Sequence, residues 1–151
     1  VSIFMEERFR QAGAASIDLR GTTVWAILDL PPGIARGRIV FEAARGDRDQ
    51  GMALDAKGAT VTINHLSGRG FRLWTDTAPP VIEFAVDDPS RLERMRVWNV
   101  WRSPYGSEDA WTGNFGMIVE QEVDAMVVRC SNGLGDVDFE DFRFRIEFSH
   151  A

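Results

Sequence analysis

The sequence predicts an all-β fold, an antiparallel two-sheet β-sandwich of jelly-roll type, with a closed β-barrel as the alternative. Three observations carry this prediction. Apolar residues recur at every second position in short runs, the period of a half-buried strand. Clusters of Gly, Pro, Asn and Asp separate the runs, as in Pro31-Pro32-Gly33, Pro79-Pro80 and Ser131-Asn132-Gly133. Helical periodicity is confined to short segments near the start of the chain and after Asp88.

Taken in chain order, Phe4 to Ala15 reads as one or two amphipathic turns with Glu6, Glu7, Arg8 and Arg10 outward, although Ser2 to Arg10 also fits a strand. Ser16 to Arg20 is a short strand candidate. The leading strands are Thr22 to Leu30, Gly37 to Arg45, Gly51 to Asp55, Thr60 to Leu66, Phe71 to Asp76 and Val81 to Val86. A single helical turn is expected at Pro89 to Arg94, where Asp-Pro begins it. Arg94 to Arg102, Gly116 to Val123, Ala125 to Ser131 and Phe139 to Phe148 complete the set. In the last run Phe142, Phe144, Ile146 and Phe148 share one face, while Arg143, Arg145 and Glu147 share the other. The inner faces are expected to include Phe41, Val61, Ile63, Phe84, Val97 or Trp98, Ile118 or Val119, Val128, Phe144 and Ile146.

Residues 1–151 read as one domain, with no repeat and no low-complexity linker, and a chain of this length buries about 68–70% of its unfolded surface. Cys130 is the only cysteine, so packing rather than an internal disulfide must hold the fold. It alternates with Met126 and Val128 on an apolar face, the position of an ordinary buried thiol. The net charge of -6 disfavours a phosphate-backbone ligand, since nucleic-acid binding draws on clustered Lys and Arg. No nucleic-acid partner is expected. Nor is a membrane partner, because no apolar run approaches the roughly 20 residues of a spanning helix. A lone cysteine and the lack of a visible signal peptide favour the cytoplasm, with export left open.

Chemistry-bearing residues concentrate in two places. The first is VWNVWRSPYGSEDAWTGN, Val97 to Asn114, which holds three of the five tryptophans and the only tyrosine. Strand geometry sends Trp98 and Trp101 to opposite faces. The loop that follows is too long for a simple hairpin, and long loops on a rigid sheet often bind ligands. Trp101, Tyr105 and Trp111 offer ring faces, and Asp109 and Asn114 offer hydrogen-bonding groups, a combination suited to a glycan. The bland alternative is that Trp111 folds back to cap the sheet while the polar groups tie the loop together. The second place is Ser131 to Asp141, where Asp136, Asp138 and Asp141 could supply oxygens to Ca²⁺. Its spacing does not match an EF-hand loop, and a solvated acidic turn competes with the metal reading.

The phrases LWTDTAPPVIEFAV, VWNVWR, GNFGMIVE and DFEDFRFRIEF resemble a bacterial family of small β-sandwich proteins without an assigned activity, over Phe71 to Phe148. The acidic entry into an aromatic-rich last strand also resembles jelly-roll carbohydrate-binding modules. The first resemblance carries over no functional residue. The leading functional expectation is therefore a non-catalytic glycan-binding module using the tryptophan loop. A protein-interaction or homo-oligomeric subunit is the second expectation. A small enzyme using Asp76 or Asp109 with His65 is the third.

Overall fold

The computed structural model describes residues 5–150. Helix α1 (Met5–Ala12) leads into β1 (Ser16–Leu19), β2 (Thr22–Trp25), β3 (Leu28–Asp29), β4 (Ile34–Ala44) and β5 (Gln50–Lys57). Next come β6 (Thr60–Ile63), β7 (Leu66–Gly68), β8 (Gly70–Trp74), β9 (Val81–Asp87) and a 3₁₀ turn at Pro89–Arg91. The chain continues through β10 (Arg94–Arg102), β11 (Glu108–Asp109), β12 (Asn114–Glu122), β13 (Ala125–Gly133) and β14 (Phe142–His150). Two antiparallel sheets result, one ordered β1-β2-β12-β13-β14-β4-β9-β6-β7 and the other β11-β10-β5-β8, with β3 also on β10. Neither sheet closes into a barrel.

The predicted strands recur with three instructive differences. Thr22 to Leu30 is broken in two, because β2 pairs with β1 and β12 while β3 crosses to pair with β10 in the other sheet. Thr60 to Leu66 folds back on itself at Asn64 and His65, both at positive φ (49° and 65°), the backbone of a two-residue hairpin turn. His65 is therefore an exposed turn residue and does not share the buried face of Val61 and Ile63. The strand reading of Ser2 to Arg10 gives way to α1 from Met5 onward, and Ser2 to Phe4 lie outside the described residues.

Period-two burial explains the layers. Phe142, Phe144 and Ile146 are fully enclosed, while Arg145 reaches Glu122 (3.0 Å) and Arg38 reaches Glu147 (3.0 Å) on the wet face. Val61, Ile63, Phe84, Val97, Trp98 and Val128 join the main core as expected, and half-buried Phe41 and Val119 pack against it. Cys130 is enclosed there too, and burial pushes its thiol well up. A second cluster of Met5, Phe9, Val24, Trp101 and Phe115, flanked by Ile118, fastens α1 to the nine-stranded sheet. An eight-residue helix is marginal alone, so this apolar seam holds it.

At the far edge, hydroxyls stitch β6, β7 and β9 together. The Asp87 carboxylate accepts from Thr60 (2.8 Å), Thr62 (2.9 Å) and Ser67 (3.3 Å). These bonds, Thr60's first, hold its carboxyl below the ordinary 3.8. A folded pKa below the unfolded one adds stability above the unfolded value, and that stability is lost as pH falls through the folded value. Urea titrations of Asp87→Asn should accordingly show a smaller loss of stability than the parent on acidification, starting near 3.8. Parallel acid profiles for the two proteins would refute the assignment.

Candidate functional site

The loop after β10 is built in two steps. Ser103 closes a tight turn: its N–H donates to the Ser107 carbonyl (2.8 Å), and its hydroxyl oxygen accepts from the N–H groups of Tyr105 (3.3 Å) and Ser107 (3.2 Å). Tyr105 rides the tip of that turn and is 95% exposed. The chain then returns as β11, placing Asp109 opposite Trp101 and Glu108 opposite Arg102. Glu108 accepts from Arg72 Nε (2.9 Å), while Asp109 Oδ1 accepts from the next backbone N–H, that of Ala110 (2.9 Å).

Trp111 follows with φ 60°, an uncommon geometry for a bulky residue. Its indole N–H donates to the Ala26 carbonyl (2.9 Å), and its ring lies 5.3 Å from Trp98 at 32°. Gly113 permits the bend, since a Cβ there would lie 2.4 Å from the Gly133 carbonyl oxygen. Glu6 of α1 clasps the same glycine from both sides. Its backbone N–H donates to the Gly113 carbonyl (3.1 Å), and its carboxylate accepts the Gly113 N–H (3.0 Å). Trp111, 40% exposed, forms one wall of a cleft of about 680 Å³ lined also by Phe9, Ala14, Ala26, Ile27 and Phe115, with Glu6 and Arg10 among its polar lining residues.

The five residues expected to bind ligand thus separate. Tyr105, Asp109 and Trp111 reach solvent, whereas Trp101 is 1% exposed and Asn114 is fully enclosed. Trp101 is directed into the second core cluster, with the Arg48 guanidinium 5.2 Å from the ring. Asn114 spends its side chain on the fold, accepting from the Met5 N–H (3.2 Å) and donating to the Gly135 carbonyl (3.0 Å). Neither presents a surface to a ligand in this arrangement. Trp98, on the opposite face of β10, is buried beneath Trp111 and the Arg72 guanidinium (5.2 Å). The cleft residues Phe9, Ala26 and Ile27 escaped sequence reasoning because they are distant in the chain and apolar.

The acidic segment is organised around a cation that belongs to the protein. Arg45 bonds Asp138 (2.7 Å) and Asp141 (3.0 Å), and the second Asp141 oxygen accepts the Asn132 N–H (3.1 Å). Burial raises the Asp141 pKa, helped by the charges of Asp138 and Asp47 and opposed by the Asn132 bond and Arg45. Asp136 stays exposed and apart from this pair. Among the described residues no group of three or more His, Cys, Asp or Glu side chains is gathered for a metal. Ca²⁺ takes six to eight oxygens, and here one oxygen each of Asp138 and Asp141 is bonded to Arg45.

The acid–base pairing of the enzyme expectation is likewise not assembled. Asp76 is paired with Arg102 (2.9 Å), whose guanidinium also covers Trp74 (4.1 Å). His65 lines a different groove, which neither Asp76 nor Asp109 faces.

Fold and site together define a β-sandwich with an aromatic surface cleft. Compared with known proteins, the chain matches no family model, no curated protein and no solved structure.

Proposed function

We propose that this protein is a non-catalytic binding module that holds a carbohydrate against Trp111. One observation carries the reading: a solvent-facing indole is fixed by its own N–H and by Trp98 beside an aromatic cleft of about 680 Å³. That volume lies within the range of small-ligand sites. A ring locked before binding loses little conformational entropy when a sugar's C–H face stacks on it. Thr112, Glu6 and Arg10 line the cleft and supply hydrogen-bonding partners for sugar hydroxyls. Trp101 and Asn114 serve this site indirectly, by holding α1 and the loop.

A glycan-array screen followed by calorimetry on the retained sugars tests the proposal. Trp111→Ala should weaken binding at least tenfold while costing about 1–3 kcal/mol of stability, the sum of one ring stack and one hydrogen bond. A blank array, or equal affinity in parent and variant, overturns it. Exposed Tyr105 and Val123 favour a second reading, a homo-oligomeric or partner-binding subunit, because large exposed side chains of this kind can anchor interfaces. A larger mass in solution that falls on Tyr105→Ala would support that reading.

A further inference from the structure

The floor of the Trp111 cleft is apolar because of how the chain leaves α1. Gly13 ends the helix at φ 59°, the left-handed backbone of a C-terminal cap, and its N–H donates to the Phe9 carbonyl (3.0 Å). Ala14 and Ala15 then carry the chain to β1 with side chains too short to fill the space beside Trp111. Phe9 and Phe115, both buried and stacked at 4.8 Å, form the floor, and half-buried Ala26 and Ile27 line it beside them. Gly13 keeps the mouth open, since a Cβ there would meet nothing within 4 Å.

Polar groups of Ala26 and Glu6 in this cleft are already engaged. The Ala26 N–H donates to the Ala15 carbonyl (2.8 Å), and the Ala26 carbonyl accepts the Trp111 indole N–H (2.9 Å). Of the Glu6 carboxylate, Oε1 accepts the Gly113 N–H (3.0 Å) and Oε2 faces Arg10 (3.1 Å). A sugar hydroxyl turned towards Phe9, Ala26 and Ile27 would therefore give up water for rings and methyl groups. A methyl group in the same place gains from its burial. The charges at the mouth narrow the choice further. Arg10 is held by both Glu6 and Glu7, so two carboxylates surround one guanidinium and a carboxylated sugar is repelled.

We infer that the cleft selects a neutral 2-acetamido sugar, whose acetyl methyl enters beside Phe9, Ala26 and Ile27 while its ring stacks on Trp111. This inference rests on the carbohydrate reading proposed above and adds the class of sugar to it. The acetamido carbonyl and N–H stay at the mouth, where Thr112 and Arg10 supply polar groups. The stack and the methyl contact are separate, so a sugar without the acetyl group keeps the first and loses the second. That separation sets the expected discrimination at about tenfold or more, the range for one apolar group in a fitted pocket.

Calorimetry on the whole chain compares the methyl β-glycosides of N-acetylglucosamine and N-acetylgalactosamine with those of glucose, galactose and glucuronic acid. The better-bound acetamido sugar is expected to exceed its own hexose parent at least tenfold, with the glucuronide weakest of all. Nuclear Overhauser effects should run from its acetyl methyl to the ring protons of Phe9 and Phe115. Ala26→Leu, which fills the floor, should reduce the acetamido preference at least fivefold. If that variant fails to fold, the Overhauser contacts in the parent protein decide the matter. Equal affinity for acetamido sugar and hexose, or an acetyl methyl that contacts neither ring, overturns the inference. Hexose binding that is still lost on Trp111→Ala would then leave the carbohydrate reading standing. A glucuronide that binds tighter than the acetamido sugars overturns the inference in the same way, whereas absence of binding by all five glycosides overturns both.

Discussion

Replacing Trp101 with alanine is expected to lower the unfolding free energy by about 3–5 kcal/mol, the range for truncating a large buried aromatic side chain. The indole is enclosed in the cluster of Met5, Phe9, Val24 and Phe115, which is the contact that fastens α1 to the sheet. Gly133 lies so close that a Cβ there would be 3.1 Å from the ring, so the indole is tightly packed on that side. Arg48, 5.2 Å away, donates to the Asn132 carbonyl (2.8 Å) and caps the same ring. The cavity therefore opens beneath α1, and Phe9 loses support for its stack on Phe115 (4.8 Å). Since Phe9 and Phe115 also line the Trp111 cleft, glycan binding should fall with stability. Urea unfolding with amide exchange in α1 checks this, and Tyr105→Ala is the control, expected to change stability by no more than about 0.5 kcal/mol as an exposed-site substitution. A Trp101→Ala protein as stable as its parent would remove Trp101 from the core.

The contrast between Trp101 and Tyr105 also marks how far the sequence could be read. Two-residue alternation made the sheets visible, because the same rule sends Phe144 inward and Arg145 outward. It also separated Trp98 from Trp101 correctly, since strand geometry is local. It could not say what covers each face. Both tryptophans are buried, one under α1 and the other under Trp111 and Arg72, and those covers come from chain segments far away. The two turn errors have the same origin. Nothing local distinguishes a continuous strand from β2 and β3, whose division depends on which sheet each half joins. Alternation through Val61 and Ile63 would carry His65 onto the same face, but left-handed backbone at Asn64 ends the strand. In the acidic segment, Asp138 and Asp141 were legible as neighbours, and Arg45, their partner, was not. Residue type identifies candidates, while long-range pairing decides whether a carboxylate faces a metal, a sugar or an arginine.

Asn114→Ala is expected to produce the other large effect, and for a reason opposite to the role the sequence suggests. Met5 opens α1, and a first-turn N–H has no partner within its own helix. Asn114 Oδ1 accepts it from across the fold (3.2 Å), and Asn114 Nδ2 donates to the Gly135 carbonyl (3.0 Å). Alanine leaves the buried Met5 N–H unsatisfied, at a cost of about 1–3 kcal/mol, while the carbonyl of exposed Gly135 turns to water. The Asn114 carbonyl keeps the Ser131 hydroxyl (2.6 Å), so the strand itself should survive while α1 loosens. Amide exchange should therefore accelerate in α1 more than in β13 or β14. Glu6 belongs to α1 and clasps Gly113, so loosening also frees Trp111 from its strained geometry. Sugar affinity should then fall although Asn114 touches no ligand. Asn114→Asp separates the two bonds: it retains the acceptor for Met5 but loses the donor to Gly135, and should keep α1 better protected than alanine does. Equal protection of α1 in parent and alanine variant, with binding lost, would instead return Asn114 to the ligand.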